Sequence, residues 1–331
     1  MSTRLRYGIL STARIARKAV AGINASRNGM VAAVASRDAD KARAAAKEWG
    51  CPEARIYGSY EALLDDPDVQ AVYNPLPNGL HGEWTKRSAD AGKHVLCEKP
   101  LTSDDAEAAE VVAHCRARRV TLMEAFMYRH HPLQHAVRKA LDAGTVGKVH
   151  TLRGAFEFPL ENPADIRLQP GLAGGALWDV GCYPVNLSRF LFGAEPTHAY
   201  AVAEFMADGR TDLTLTGLLR YPADRAAIIE CSFRRPYRCL YEVCGTKGRI
   251  SVPQGFLRDP EPGYFEIIRD GATERVEVGA AEVYKLQAEH FAECVLAGKP
   301  LAWPAEDGLA NMRALTALLK SAQTGQAVSV V

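Results

Sequence analysis

The chain has 331 residues, more than one ordinary core accommodates and enough for two domains. Forty Lys and Arg nearly balance 39 Asp and Glu, and no basic run stands out, so the net charge of +1 argues against a nucleic-acid partner. Eight cysteines form no CxxC and no paired Cys/His spacing, and Cys97, Cys231 and Cys294 lie inside apolar runs; this reads as buried thiols in a reducing cytoplasm, not a disulfide framework. No signal peptide, twin-arginine segment or spanning helix is visible, so a cytoplasmic protein without a membrane partner is expected.

In chain order, an apolar run at residues 5–11 is followed by a helical pattern over 14–25, a second apolar run over 31–36 and an alanine-rich helix over 39–49. A strand is expected near 69–74, a helix near 80–91 and a strand over 94–98. A helix over 103–118 follows, with Ser103 as its N-cap and acidic residues in its first turn. A strand over 120–125 closes the series. Strands alternating with helices in this way predict a doubly wound parallel sheet.

After residue 128 the texture changes. A helix near 131–143 precedes strands with period-2 patterning at 150–158, 198–205, 213–221, 226–233, 240–244 and 249–252. Two late helices, over 283–297 and 305–322, complete the chain. The expected fold class is an α/β Rossmann doubly wound parallel sheet plus an α+β domain with a large, mostly antiparallel open sheet. The expected division is a dinucleotide-binding domain over 1–128 and a substrate-binding and oligomerisation domain over 129–331, with a cleft between them and C-terminal helices that can pack back on the first. There is no internal repeat and no low-complexity segment.

Four segments carry chemistry. In the first turn, Ser11-Thr12-Ala13-Arg14-Ile15, small residues stand where a dinucleotide fingerprint has glycines, and small side chains still let backbone N–H groups approach a pyrophosphate. The second strand ends in Ser36-Arg37-Asp38; Ser36 and Arg37 suit a 2′-phosphate, which predicts NADP(H) with NAD(H) as the alternative. Pro75-Leu76-Pro77-Asn78 and His81 follow the next strand as a stiff loop for a nicotinamide to pack on. Cys97-Glu98-Lys99-Pro100 puts a lysine at the carboxyl edge of the sheet, where such folds bind cofactors and substrates. Further on, Gly174-Gly175 precede Trp178, Asp179, Tyr183 and Asn186, with Arg167 upstream. If the segment is helical, Asp179, Tyr183 and Asn186 share one face, and Pro184 must sit in the first turn or bend it. His131 and His135 stand at i, i+4 with no third ligand nearby, so no metal site is expected.

Together the segments at 10–16, 91–101, 124–129 and 174–184 resemble the Gfo/Idh/MocA oxidoreductases, in order along nearly the whole chain; Ala91-Gly92-Lys93-His94-Val95-Leu96-Cys97-Glu98-Lys99-Pro100-Leu101 is the strongest identifier. Tyr183, where many members carry histidine, resembles the branch with glucose-fructose oxidoreductase, sugar 3-ketoreductases, NADP-dependent xylose dehydrogenase and dimeric dihydrodiol dehydrogenase. The resemblance implies a cis bond between Lys99 and Pro100 that aims the lysine into the cleft, and a homodimer or larger homo-oligomer formed through the second domain's sheet. It also implies hydride transfer between nicotinamide C4 and a carbinol or ketone carbon of a sugar. Lys99, Tyr183 and Asp179 are the expected catalytic residues, Ser11–Ile15, Ser36, Arg37, Pro75, Leu76, Asn78, His81, Glu98 and Lys99 the cofactor contacts, and Arg167, Trp178 and Asn186 the substrate contacts. A free phenol has a pKa of about 10, and a lysine ammonium beside it favours the tyrosinate. Asp179 is expected to orient the pair and neutralise Lys99. Two other readings fit the same scaffold: glycoside cleavage through a bound NAD, and a dinucleotide-sensing regulator.

Overall fold

β1 (Leu5–Leu10) is almost wholly buried because it lies at the centre of a parallel sheet, and a strand covered on both faces reads as a near-continuous apolar run. The computed structural model describes residues 4–256 and 259–330. They form two compact units, Met1–Met127 with Glu282–Leu309, and Tyr128–Ala281 with Ala310–Val331.

In the first unit β1 is followed by α1 (Ala16–Ala25), β2 (Gly29–Ala35), α2 (Ala39–Glu48), β3 (Arg55–Tyr57), α3 (Tyr60–Leu64), β4 (Ala71–Asn74), α4 (His81–Asp90), β5 (His94–Cys97), α5 (Asp105–Ala117) and β6 (Leu122–Glu124). Among the described residues the strands form a six-stranded sheet in the order β3-β2-β1-β4-β5-β6, every neighbour parallel. This is the doubly wound order whose direction reverses between β1 and β4, the switch point at which such sheets hold dinucleotides. The short β3 and α3 carry no periodic signal and are additions to the sequence reading.

Two boundaries differ from expectation for physical reasons. The first helix starts at Ala16, not residue 14, because Ser11 takes a positive φ of 77° and the chain turns before it coils. The cap of α5 is Asp104, not Ser103: its carboxylate accepts the Glu107 N–H at 2.8 Å, while Glu107 reaches back to the Ser103 N–H and hydroxyl at 3.0 and 2.6 Å. An ionised oxygen is the stronger acceptor for a helix N–H, so the cap falls on the carboxylate. The acidic first turn is there, in Asp105 and Glu107.

The chain returns to this unit with α8 (Val283–Ala297). Tyr7 of β1 donates its hydroxyl to the Ala288 carbonyl at 3.3 Å and meets Phe291 ring to ring at 6.1 Å. Gly22 lets α1 approach α8 backbone to backbone; a Cβ there would lie 2.6 Å from the Tyr284 carbonyl carbon.

The second unit opens with α6 (Pro132–Asp142) and β7 (Val149–Glu157), then α7 (Cys182–Phe192), β8 (His198–Phe205), β9 (Asp212–Tyr221), β10 (Arg225–Ser232), β11 (Arg238–Gly245), β12 (Gly248–Val252), β13 (Gly263–Arg269) and β14 (Ala272–Val278). Most of α9 (Ala305–Thr324) and the short β15 (Val328–Ser329) complete it. Among the described residues these strands make a nine-stranded sheet in the order β14-β13-β12-β11-β7-β10-β9-β8-β15, antiparallel except for β7 beside β10. The hairpin β13–β14 was not read from the sequence. One face of the sheet is buried by α7 and its approach; the other carries exposed Tyr200, Val202 and Leu218, with Tyr200 and Leu218 directly opposed across β8 and β9.

Candidate active site

The carboxyl ends of β1, β2, β4 and β5 bring the first unit's candidates to one edge of the parallel sheet. After β1, Ser11 donates its N–H to the Ala35 carbonyl at 2.9 Å and accepts the Ala13 N–H on its hydroxyl at 3.2 Å, which shapes the turn into α1. The opening of α1 has no acidic residue in its first turn and no side-chain cap, whereas α2, α3 and α5 are capped by Asp38, Ser59 and Asp104. The N–H groups of Ala16, Lys18 and Ala19 are taken up by the Ala13 and Ile15 carbonyls, so what the α1 opening offers a pyrophosphate is the positive end of its helix dipole with no acidic side chain against it. After β2, Ser36 is buried and Arg37 exposed. Asp38 is turned away into its own helix, accepting the N–H groups of Asp40 and Lys41 at 2.9 and 3.3 Å. A carboxylate so engaged is poorly placed for a ribose 2′-hydroxyl, and the side chain left at that position is a guanidinium.

The loop bearing Lys99 is built with more fixed points than any single motif suggests. Glu98 donates its N–H to the Asn74 carbonyl at 3.0 Å; its carboxylate accepts the Tyr73 hydroxyl at 2.6 Å and the Lys99 N–H at 3.3 Å. The Lys99–Pro100 peptide is cis, as the resemblance implied. Beyond it, Leu101 donates its N–H to Glu124 at 2.8 Å. His81 is 1% exposed, with Nδ1 and Nε2 each 2.7 Å from a backbone carbonyl, of Pro100 and Leu76 respectively. Burial lowers the His81 pKa, and the two carbonyls, which favour the doubly protonated ring, only partly offset it. Expected to touch a cofactor, His81 instead ties the loop after β4 to the loop after β5. Pro75 and Leu76 are buried, Leu76 within the apolar core, and Asn78 is half-buried at the start of a 3₁₀ turn.

In the second unit, Gly174-Gly175 lead into a π-helical turn, Leu177–Gly181, which passes directly into α7. The spacing Asp179–Tyr183–Asn186 shares one face only if the segment is α-helical throughout; the π turn holds Asp179, and α7 proper begins at Cys182. Pro184 gives the reason. It has no N–H for the α-type bond to residue 180, and a wider turn bypasses that bond. Arg167 donates Nε to Asp179 at 2.7 Å and also reaches Asp165 at 3.3 Å, and the Asp179 charge raises the guanidinium pKa further. Asp179, expected to serve Lys99, thus has Arg167 as a partner within its own unit. Tyr183 is 6% exposed, its ring 5.3 Å from Phe156, 5.6 Å from Phe256 and 5.7 Å from Tyr128. Asn186 is buried and accepts the Tyr128 hydroxyl at 2.8 Å, a packing position for a residue expected to meet substrate; Trp178 is buried on the π turn, next to Asp179 in sequence.

Two family models match the chain: "Oxidoreductase family, NAD-binding Rossmann fold" over residues 5–126, and "GFO/IDH/MocA C-terminal domain" over residues 135–251. The chain belongs to the Gfo/Idh/MocA oxidoreductase family. Among curated relatives, a D-xylose 1-dehydrogenase (NADP(+)) of Haloferax volcanii is 40% identical over 98% of this chain and 100% of its own. A dTDP-3,4-didehydro-2,6-dideoxy-alpha-D-glucose 3-reductase of Streptomyces violaceoruber is 38% identical over 82% of this chain and 80% of its own. Among solved structures, a 3-ketoreductase from Actinomadura kijaniata in complex with NADP and TDP-benzene superposes with a TM-score of 0.91 at 32% identity, covering 98% of each chain.

For a Gfo/Idh/MocA oxidoreductase the motifs name the candidate residues, and some of the side chains that hold those segments in place lie outside the motifs. Tyr73 and Asp212 were not singled out, and Glu124 entered only as the first residue of the 124–129 segment, because a buried carboxylate or phenol in a strand looks like any other strand residue until its partner is known. His131 caps α6, accepting the Leu133 N–H at 3.0 Å, and no group of three or more His, Cys, Asp or Glu among the described residues could hold a metal ion. No helix among the described residues is long and apolar enough to cross a membrane.

Proposed function

We propose that this oxidoreductase is an NADP(H)-dependent sugar dehydrogenase or ketoreductase, acting on a carbinol or ketone carbon of an aldose or of a nucleotide-linked 3-ketosugar. The observation that carries the reading is the anchored lysine: Pro100 and Leu101, directly after Lys99, are tied to His81 and Glu124 at the carboxyl edge of an NAD-binding sheet. When bound, the nicotinamide supplies or takes up the hydride at C4. The residues placed to hold the dinucleotide are the α1 opening with Ser11–Ile15 for the pyrophosphate, Ser36 and Arg37 for a 2′-phosphate, and the loops at Pro75–Asn78 and Glu98–Lys99 for the nicotinamide end. The substrate oxygen gains or loses a proton as its carbon changes oxidation level. Tyr183 relays that proton, and the Lys99 ammonium hydrogen-bonds the oxygen and favours the phenolate. Asp179, held by Arg167, orients the phenol's surroundings. The names of the xylose dehydrogenase and the deoxysugar reductase support both substrate classes. A screen at 340 nm decides between them: aldoses with NADP⁺ in one direction, a dTDP-linked 3-ketosugar with NADPH in the other. Silence in both would overturn the proposal.

Cofactor choice rests on Arg37. A charge-assisted hydrogen bond contributes about 1.5–3 kcal/mol, so Arg37→Ala is expected to lower kcat/KM for NADP(H) by about 10- to 100-fold and leave NAD(H) nearly untouched. A native preference for NAD(H), or an unchanged ratio in the variant, removes the 2′-phosphate argument.

We further assign the first domain to the dinucleotide and the second to substrate and self-association. The exposed Tyr200, Val202 and Leu218 stand on an open sheet face of the kind that a second copy covers. Light scattering is expected to give at least twice the 36.0 kDa chain mass; a monomer at micromolar concentration would refute this.

A further inference from the structure

Asp212 opens β9 and is fully buried. Its Oδ2 accepts the Leu177 N–H at 2.8 Å, and the Ala176 N–H also acts on the carboxylate. Its Oδ1 is buried with no hydrogen-bond partner among the described residues. The carboxylate fits because residue 175 is glycine: with φ of +130°, Gly175 has a conformation that side chains rarely adopt, and a Cβ there would overlap Asp212 Oδ1. The same turn is seated elsewhere too. Gly175 donates its N–H to the Arg167 carbonyl at 2.9 Å, and a Cβ at Gly174 would lie 2.5 Å from that oxygen. At its far end Gly181 presses on β10, where a Cβ would sit 2.9 Å from Cys231 Sγ. Asp212 is thus a carboxylate set against the opening amides of the segment that carries Asp179 and, one residue into α7, Tyr183.

We infer that Asp212 is a positioning residue for the reaction: its carboxylate, docked on the Ala176–Leu177 amides, fixes the turn from which Asp179 and Tyr183 project. The inference rests on the proton role proposed for Tyr183. A carboxylate serves here better than an amide or an apolar group, because the first N–H groups of a helix carry partial positive charge and bond most strongly to an ionised acceptor. Burial opposes the charge and is the larger influence, so the Asp212 pKa is pushed up to about 7 against the N–H donors that lower it. No side-chain charge among the described residues enters that balance. The titratable neighbour on β10 is the Cys231 thiol, itself raised by burial and by Asp212, with Cys182 and Glu157 acting on it in turn. On the approach to the turn, Arg167 is paired with Asp179 and Asp165; in the turn before β9, Asp208 is held low by the Arg210 and Thr211 N–H groups.

The sign follows. The folded protein keeps the Asp212 proton above the ordinary carboxylate range, so this site favours the folded state in acid, and that contribution is lost as pH rises from about 4 to about 7. Docking of the turn runs the other way, tightening as the carboxylate ionises. Asp212→Asn keeps an acceptor for Leu177 but cannot ionise. It is expected to lower kcat about tenfold at pH 8 and only about two-fold at pH 6, with the KM for NADP(H) unchanged. Trp178 lies in the same turn and offers a readout independent of activity. In protein labelled with 5-fluorotryptophan, its ¹⁹F resonance, assigned with Trp178→Phe, should shift with a midpoint near pH 7 in the native protein and stay still in Asp212→Asn. Equal kcat ratios at pH 6 and pH 8, or a native Trp178 resonance that does not titrate, would overturn the inference. Full turnover in Tyr183→Phe would instead remove the proton role of Tyr183, and the fluorine titration would then decide alone whether Asp212 sets the turn.

Discussion

Lys99→Ala is expected to lower kcat by at least about 10³-fold while the protein folds normally. Losing one donor to a developing oxyanion in a water-poor site costs about 2.7–4 kcal/mol, or 10²–10³-fold, and on the proposed mechanism the same change also removes a charge from the proton-transfer step. The loop should survive the substitution. Its fixed points are Glu98 on the Lys99 N–H, His81 against the Pro100 carbonyl and Glu124 on the Leu101 N–H, and none of these uses the lysine side chain. A circular-dichroism melt that matches the native one, beside collapsed turnover in the 340 nm assay, is the expected pair of results. Turnover within a few-fold of native would take Lys99 out of the chemistry.

Tyr183→Phe is the complementary test, expected to reduce kcat by about 10²–10⁴-fold, the usual contribution of a positioned acid–base group. The phenylalanine ring keeps the packing against Tyr128, Phe156 and Phe256, so the change deletes an O–H and little else. Cofactor affinity, measured by quenching of NADPH fluorescence, should not move. The alkaline or acid limb of the kcat profile that belongs to the phenol should vanish in the variant. Near-native turnover would pass the proton to another group, with Lys99 first in line.

How much of this was legible beforehand differs between the units. Strand–helix alternation in the first half is loud, because each βαβ unit switches between an apolar run and a 3.6-residue period, and those elements were found with small errors at their ends. The α5 cap was misplaced by one residue because Ser103 and Asp104 are both good caps and only the fold decides which carries the N3 bond. The β13–β14 hairpin had a signal that went unread: Asp270-Gly271, both with positive φ, is the two-residue turn that matches strand twist. Its outer strand β14 is charged and has no buried residue, so the apolar alternation is confined to the seven residues of β13, where Gly263, Phe265 and Ile267 face inward.

The candidate site was legible where a motif names a residue type and illegible where one residue is read as acting through another. Lys99, Asp179 and Tyr183 stand in recognisable strings. Asp212 comes 33 residues after Asp179 in an ordinary strand, and its meaning depends on Gly175 having no side chain, a relation between two positions that periodicity does not encode. His81 was read as a ligand contact because polar residues at the carboxyl edge of a sheet usually are; burial and two backbone carbonyls give it a different task.

The return of α8 has a consequence for how the polypeptide is made. Tyr7 and Gly22, near the start of the chain, are covered by Ala288, Phe291 and Tyr284, which leave the ribosome only after residues 128–281 have been synthesised. Nascent domains ordinarily mature from the N-terminus onward. Here the earlier unit must wait, its outer helix bare, until the inserted one has emerged, and a fragment ending at Met127 would be born without its cover.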